Sequence, residues 1–393
     1  MGEPKLRFKA DDGSDFPNWE EKTLGELCEP LTYGMNAAAT KFDGENRYIR
    51  ITDIDDETHA FLSNDVVSPS GELDDKYLVK KGDILLARTG ASTGKSYLYH
   101  PKDGKLFYAG FLIKAHVLPS SDDYFIYSQT LTDRYGKWVK TTSMRSGQPG
   151  INANEYASYS FSVPSLPEQR KIADLLSAVD DVIAAQEAEV VAWEKRKKGV
   201  MQKLFSQEVR FKADDGSDFP DWEEKTLGDI CMYERQRSEG ANFVGTENML
   251  KDFGGVTFDN SNADGSGTLY HPGDTLMSNI RPYLKKAWLA DRKGTCSTDV
   301  LVFHPTSVEP GYLYWLIASD AFVRYVMSAA KGSKMPRGDK KHIMEMPLLL
   351  PNKDEQRKID DCLSSLNDVI IKAKNELAKW QELKKGLLQQ MFV

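Results

Sequence analysis

One passage of this chain occurs twice. Residues 6–28 read LRFKADDGSDFPNWEEKTLGELC and residues 209–231 read VRFKADDGSDFPDWEEKTLGDIC, identical at nineteen of 23 positions with an offset of 203. A second pair follows. EQRKIADLLSAVDDVIAAQEAEVVAWEKRKKGVMQKLF at 168–205 and EQRKIDDCLSSLNDVIIKAKNELAKWQELKKGLLQQMF at 355–392 agree at eighteen of 38 positions, with an offset of 187. Repetition on this scale decides the architecture before composition does, because each copy must form the same unit. Between the matched blocks lie residues 29–167 and 232–354, 139 and 123 residues long with little mutual similarity. The order is short block, insert, long block, twice over: two nearly identical frames around two different inserts.

The long blocks carry a helical period. Ile172, Leu176, Val179, Ile183, Gln186, Val190, Trp193, Lys197, Val200 and Leu204 step by alternating fours and threes. Ile359, Leu363, Leu366, Ile370, Ala373, Leu377, Trp380, Lys384, Leu387 and Met391 do the same. This is a heptad seam interrupted by polar residues at Gln186, Lys197 and Lys384. Pro164, Pro167 and Pro351 end the preceding strands. At 1.5 Å per residue, 38 residues make a rod of about 57 Å. Such a seam needs a partner, and the obvious one is the other copy. Packing is therefore expected through Ile172, Leu176, Val179, Ile183, Val190 and Trp193 on one helix, and Ile359, Leu363, Leu366, Ile370, Leu377 and Trp380 on the other. Helices of an ordinary bundle within one domain are the competing reading. In the short block, DDGSDFP and the acidic Glu20-Glu21-Lys22 that follows read as a solvated turn joining domains.

Both inserts mix strands with a helix in the same order, so one fold is expected for the two. In the first, residues 46–55, 80–89 and 105–118 read as strands and 124–139 as a helix. In the second, residues 241–250, 271–280, 285–290 and 298–305 read as strands and 311–330 as a helix. Aligning these runs sets Gly82-Asp83 on Gly273-Asp274, and GASTGKS at 90–96 on RPYLKKA at 281–287. GASTGKS resembles a phosphate-binding loop, G-x-x-x-x-G-K-[ST], but is one residue short, with Thr89 where the first glycine belongs. The second copy has no glycine there and keeps only positive charge: Arg281, Lys285, and Lys286 opposite Lys95. A nucleotide site would not lose its glycines in a sister domain, so the loop reads instead as a basic tip.

Other basic stretches fall at matched places. Arg134, Lys137, Lys140 and Arg145 follow one another without an acid, and Lys331, Lys334, Arg337, Lys340 and Lys341 accompany a single Asp339. Arg and Gln beside glycine-rich turns suit base-edge hydrogen bonding, whereas Lys and Ser suit phosphates. Candidate DNA contacts are therefore Arg88, Thr89, Lys95, Lys140, Arg145, Ser146 and Gln148 in the first insert. In the second they are Arg281, Lys285, Lys286, Lys334, Arg337, Lys340 and Lys341.

Composition excludes several classes. The formal charge of −8 argues against a uniformly basic nucleic-acid binder and leaves local patches to make the contacts. No apolar run approaches the roughly 18 residues of a membrane span, and no signal-peptide core opens the sequence. Cys28, Cys231, Cys296 and Cys362 are isolated, which fits a reducing cytoplasm and no metal site.

The layout resembles the specificity (S) subunit of type I restriction–modification systems. The residues that carry the resemblance are the doubled PEQRKIADLLSAVDDVI and DEQRKIDDCLSSLNDVI, the KKGDILLARTGASTGK and HPGDTLMSNIRPYLKK segments, and the repeated FPxWEEKTLG. The resemblance covers almost the whole chain. It implies an α+β protein: two similar mixed α/β target recognition domains, separated by two long antiparallel coiled-coil helices and related by an internal pseudo-twofold repeat. The expected divisions are residues 1–167 and 209–354 for the recognition domains, with 168–208 and 355–393 as helical spacers. Each domain would read one half of a bipartite double-stranded DNA target, while the helices set the separation. The resemblance further implies a chain with no catalysis and no cofactor of its own. Its partners would be two methyltransferase (modification) subunits and two motor-nuclease (restriction) subunits, in the cytoplasm and without a membrane. In keeping with this, no [ND]-P-P-[FYW] tetrapeptide of an adenine methyltransferase and no G-x-G-x-x-G run occurs. A P-loop-like nucleotide-binding protein and a structural coiled-coil adaptor are the alternatives.

Overall fold

The computed structural model describes residues 4–144, 147–258 and 265–392. It divides into two compact units, Met1–Glu187 with Asn375–Val393, and Ala188–Lys374. The long blocks are two helices, Leu166–Phe205 and Lys353–Met391. Each begins in the unit of the insert that precedes it and ends in the other.

In the first unit four antiparallel strands lie in the order Thr32–Tyr33, Leu112–His116, Asp83–Ala87, Ser96–Leu98. Asp83–Ala87 is buried along its length, so its apolar run is continuous instead of alternating. The strand period of two still sorts its faces. Ile84 and Leu86 belong to a core with Phe125, Ile126 and Tyr156, whereas Leu85 and Ala87 pack with Ile49, Leu106 and Tyr108. Helices Asp123–Gln129, Asp133–Thr142 and Ala153–Ala157 follow. The second unit repeats the plan with strands Cys231–Tyr233, Val300–Pro305, Thr275–Ser278 and Ala287–Leu289. Its helices are Pro310–Ile317, Asp320–Ser328 and Lys340–Met344. Two inserts of unlike sequence thus share the order of their four-stranded sheet, while other strands pair differently: Arg47–Ile49 runs parallel to Leu106–Tyr108 in the first, and Arg237–Gly240, Gly265–Tyr270 and Gly294–Cys296 form one antiparallel sheet in the second.

The repeated blocks are repeated because they bind each other. Glu168 at the start of the first long helix has a fully buried side chain and accepts two bonds from the Arg7 guanidinium, at 2.8 and 3.0 Å. The Trp19 indole N–H donates to the same carboxylate at 3.3 Å. In the second unit Arg210 and Trp222 hold Glu355 in the same way, at 2.8, 3.1 and 2.9 Å. The next residue works too. Gln169 accepts the Asp122 N–H and donates to the Pro164 carbonyl, and Gln356 does likewise with Glu309 and Pro351. The EQ pair therefore clamps the short block, the helix start and the insert together.

Several expectations need correction. Residues 124–139 and 311–330 form two helices each, because Thr132 and Ser319 cap a new start by accepting the N–H of Tyr135 and Phe322. Residues 105–118 form two strands, Leu106–Tyr108 and Leu112–His116. Residues 241–250 are not a strand: Val244 and Met249 make isolated bridges and anchor a loop in the core. The acidic Glu20-Glu21-Lys22 lies in a strand, Glu20–Thr23, paired with Ser160–Val163, and Glu223–Thr226 pairs likewise with Pro347–Leu350.

The heptad seam does double service. Ile172 and Leu176 are buried in the first unit's core, and Ile359 and Leu363 in the second's. Val179, Ile183, Val190 and Ile370 are buried, while Trp193, Leu366, Leu377 and Trp380 are half-buried. Two of the three polar seam positions have partners: Lys384 pairs with Asp180 at 2.6 Å, and Lys197 donates to Asn367 at 2.9 Å. In the second unit the contacts Glu194–Lys374 and Lys197–Asn367 run in opposite directions along the two helices, which makes them antiparallel there. Among the described residues, no helix is long and apolar enough to cross a membrane.

Candidate nucleic-acid interface

The Gly-Asp pair common to both inserts fixes one end of the central strand. Asp83 lies 2.7 Å from His116 Nδ1 and accepts the Lys80 N–H at 2.6 Å. Asp274 lies 2.7 Å from His304 Nδ1 and accepts the His271 N–H at 2.7 Å. Both carboxylates are buried. With that end anchored, each strand delivers its other end, residues 88–90 or 279–281, to the same place.

There, matched backbone hydrogen bonds build one frame in both units. Arg88 N–H donates to Phe111 O at 3.0 Å, and Asn279 N–H to Asp299 O at 2.8 Å. Gly90 N–H donates to Pro149 O at 3.0 Å, and Arg281 N–H to Pro336 O at 2.8 Å. Ile151 N–H donates to Arg88 O at 2.9 Å, and Gly338 N–H to Asn279 O at 3.3 Å. Ala87 N–H donates to Lys95 O at 2.8 Å, and Ser278 N–H to Lys286 O at 3.0 Å. Bridges Thr89–Gly150 and Ile280–Arg337 complete the register. The glycine-rich loop and the basic stretch, separate in sequence, thus meet in one apex.

On this common frame the side chains differ at nearly every position. Arg88 stands opposite Asn279, Thr89 opposite Ile280, Gly90 opposite Arg281, Phe111 opposite Asp299, and Gly150 opposite Arg337. In the first unit the Arg88 guanidinium lies over the Tyr33 ring, 4.7 Å from its centroid. Tyr33 and Phe111 are 42% and 63% exposed, an unusual placement for two aromatic rings. Gln148 is exposed beside Gly90, and Lys140 is exposed in the last turn of Asp133–Thr142. Arg145 and Ser146 lie outside the described residues. In the second unit Arg337 pairs with Asp299 at 3.2 Å, and Lys341 lies 3.7 Å from Glu345. Lys334 and Lys340 are exposed.

Three of the candidate lysines are engaged within the protein. Lys95 donates to the Ile54 carbonyl at 2.9 Å and pairs with Asp56, while Lys286 donates to the Thr246 carbonyl at 2.7 Å. Lys285 pairs with Asp320 at 2.7 Å, and Asp320 also binds Lys198 at 2.6 Å. These two ammonium groups hold the Asp320 carboxyl below its usual range. The equivalent of Lys285 in the first unit is Gly94, so that bridge cannot form there; an open cleft of about 1490 Å³ lies beside Gly94 and Asp133. Nor is 90–95 a phosphate cradle. The N–H groups of Gly90, Thr93, Gly94 and Lys95 all donate to backbone carbonyls of the chain itself, whereas a P-loop keeps such donors for the ligand.

Tyr33, Phe111, Asn279 and Asp299 were not expected at the apex. Phe111 lies in an apolar run that reads as strand, and nothing in its local pattern distinguishes a turn tip from a core position. Among the described residues no cluster of His, Cys, Asp and Glu fits a metal ion. Both apices carry hydrogen-bond donors and positive charge on a hydrogen-bonded frame, and the first adds two exposed aromatic rings.

Residues 17–191 and 220–380 match the model of the type I restriction modification DNA specificity domain. A type I restriction enzyme MjaVIII specificity subunit from Methanocaldococcus jannaschii is 22% identical, over 98% of this chain and 95% of its own length. The crystal structure of the S subunit of a type I restriction–modification system from M. genitalium covers 100% of this chain and 99% of its own, at 17% identity and a TM-score of 0.62. A chain solved in work on assembly and conformational transition of the type I R-M system covers 95% of this chain and 97% of its own, at 18% identity and a TM-score of 0.54.

Proposed function

Because the chain belongs to the type I restriction modification DNA specificity family, we propose that its two inserts read the two halves of one bipartite DNA target. The observation that carries this reading is the shared apex: one backbone frame, built twice, with different side chains each time. Like frames meet the two half-sites of one duplex in the same way, and unlike side chains then select unlike bases. The recognition domains are residues 1–167 and 209–354, and the helical blocks 168–208 and 355–393 fix the number of unread base pairs between half-sites. Contacts come from Arg88, Thr89, Lys140, Arg145, Ser146 and Gln148 in the first domain. They come from Arg281, Lys334, Arg337, Lys340 and Lys341 in the second. Lys95, Lys285 and Lys286 support these loops from behind.

The chain itself recognises DNA and leaves the chemistry to partners, two methyltransferase subunits docked on the helices and two motor-nuclease subunits. The repeat supports that stoichiometry, since two like surfaces suit two copies of one partner. A net charge of −8 fits a reader that shares phosphate neutralisation with those partners. The complex works where DNA is, in the cytoplasm.

Replacing residues 29–167 with the insert of another family member tests the reading. With the methyltransferase co-expressed, one half of the methylated motif should change while the other half and the gap persist. Both halves changing together would contradict independent reading.

A further inference from the structure

The two loops at the apex share a backbone but not a composition. In the first, Gly90 and Gly94 sit at φ +79° and +93°, left-handed conformations that glycine adopts freely. In the second the same two positions are Arg281 and Lys285, at φ +50° and +53°. Side chains at such angles are strained, and strain of this kind persists where the side chain has a task. For Lys285 the task is visible: it binds Asp320, which also holds Lys198. Arg281 has no such contact. Among the described residues it has no carboxylate partner, and its buried Nε has no hydrogen-bond acceptor.

The other basic groups of this apex divide cleanly. Lys286 is spent on a backbone carbonyl and Arg337 on Asp299, while Lys334 and Lys340 are exposed on the outer loop. Arg281 alone of these combines a fixed backbone, held by its N–H on Pro336 O at 2.8 Å and by Pro282 next in the chain, with an unspent guanidinium. A guanidinium is a planar fork whose geometry matches two acceptors side by side. In duplex DNA the side-by-side acceptor pair on a base edge is O6 and N7 of guanine in the major groove.

We propose that Arg281 reads a guanine in the half-site of the second recognition domain, and that it is the specificity-determining residue there. The assignment rests on the DNA-reading function proposed above. The first domain, with Gly90 at this position, makes no such contact and reads its own half-site through other residues of the frame. The strained backbone is the cost of presenting a fork where its sister presents none.

Arg281→Gly tests this, because it installs the sister domain's residue at an angle that glycine prefers. The whole chain is co-expressed with its methyltransferase partner, and methylation is read across all single-base variants of the target. Discrimination at one guanine of one half-site should fall by roughly 5- to 150-fold, with the other half-site and the gap unchanged. Thermal unfolding of the second unit should move up, not down, as the strain is relieved. Arg281→Lys, which keeps the charge and loses the fork, should relax the same position. A motif that Arg281→Gly reproduces at full strength would overturn the assignment alone. So would equal weakening on every sequence, the signature of a phosphate contact. A wild-type complex with no bipartite motif would overturn the parent reading, and this one with it.

Discussion

Glu168 lets the docking of the short block be tested quantitatively. Its side chain is fully buried and takes two bonds from Arg7, at 2.8 and 3.0 Å, plus the Trp19 N–H at 3.3 Å. Glu168→Ala takes the carboxylate from the Arg7 guanidinium, which keeps its bonds to the Phe16 and Pro17 carbonyls, and takes the acceptor of the Trp19 N–H. Removing one partner of a buried ion pair costs about 3–5 kcal/mol, and Arg7, 22% exposed, recovers part of that by rehydration. We expect about 3 kcal/mol, or roughly a hundredfold in a local opening equilibrium. Native-state hydrogen exchange reads this directly. The amides of the strand Glu20–Thr23, paired with Ser160–Val163, should exchange about a hundredfold faster. The sister strand Glu223–Thr226 should keep its protection, since its own clamp is Glu355. Glu355→Ala should show the mirror pattern. An effect below roughly fivefold, or equal loosening of both strands, would refute the claim that each EQ pair clamps its own short block.

Burial raises the thiols of Cys28, Cys231 and Cys296 to about 12, and raises that of half-buried Cys362 as well. A thiol reagent at about pH 8 should label Cys362 first, and the other three only after denaturant is added; two or more rapid equivalents on the native chain would contradict this packing. The Asp339 carboxyl is held at about 2 by the Lys331 ammonium, and next by the N–H groups of His342 and Lys341. Its folded value is depressed, so its cap on Lys340–Met344 should be complete above about pH 4 and lost as pH falls towards 2. Amide shifts of Lys341 and His342 should titrate in that window, and Asp339→Asn should flatten the response; a midpoint at the ordinary carboxylate value would contradict the cap.

The repeat made the architecture legible. Nineteen matches in one block and eighteen in the other leave no room for unlike frames, and the alignment of 90–96 on 281–287 is the one the backbone bonds trace. The breaks within 124–139 and 311–330 were hidden because Thr132 and Ser319 fit a helical period as well as a cap. Glu20-Glu21-Lys22 looked solvated because its side chains are largely so, and the backbone pairing that makes it a strand leaves no mark in polarity. At the apex, charge type singled out two loops that backbone bonds do bring together, but not what each side chain touches. Lys95 and Arg88 look equally free in sequence, yet only tertiary contacts send one to the Ile54 carbonyl and the other onto Tyr33. Side-chain direction at a loop is set by distant neighbours, which local pattern does not encode.

One chain should read two half-sites held at a fixed gap. Modification-sensitive sequencing of DNA from cells with and without this gene, its methyltransferase partner present in both, tests it most directly. A single bipartite adenine-methylation motif, with two defined halves and one gap, should vanish when the gene is removed. A motif that persists without it, or one that is continuous instead of split, would contradict the account.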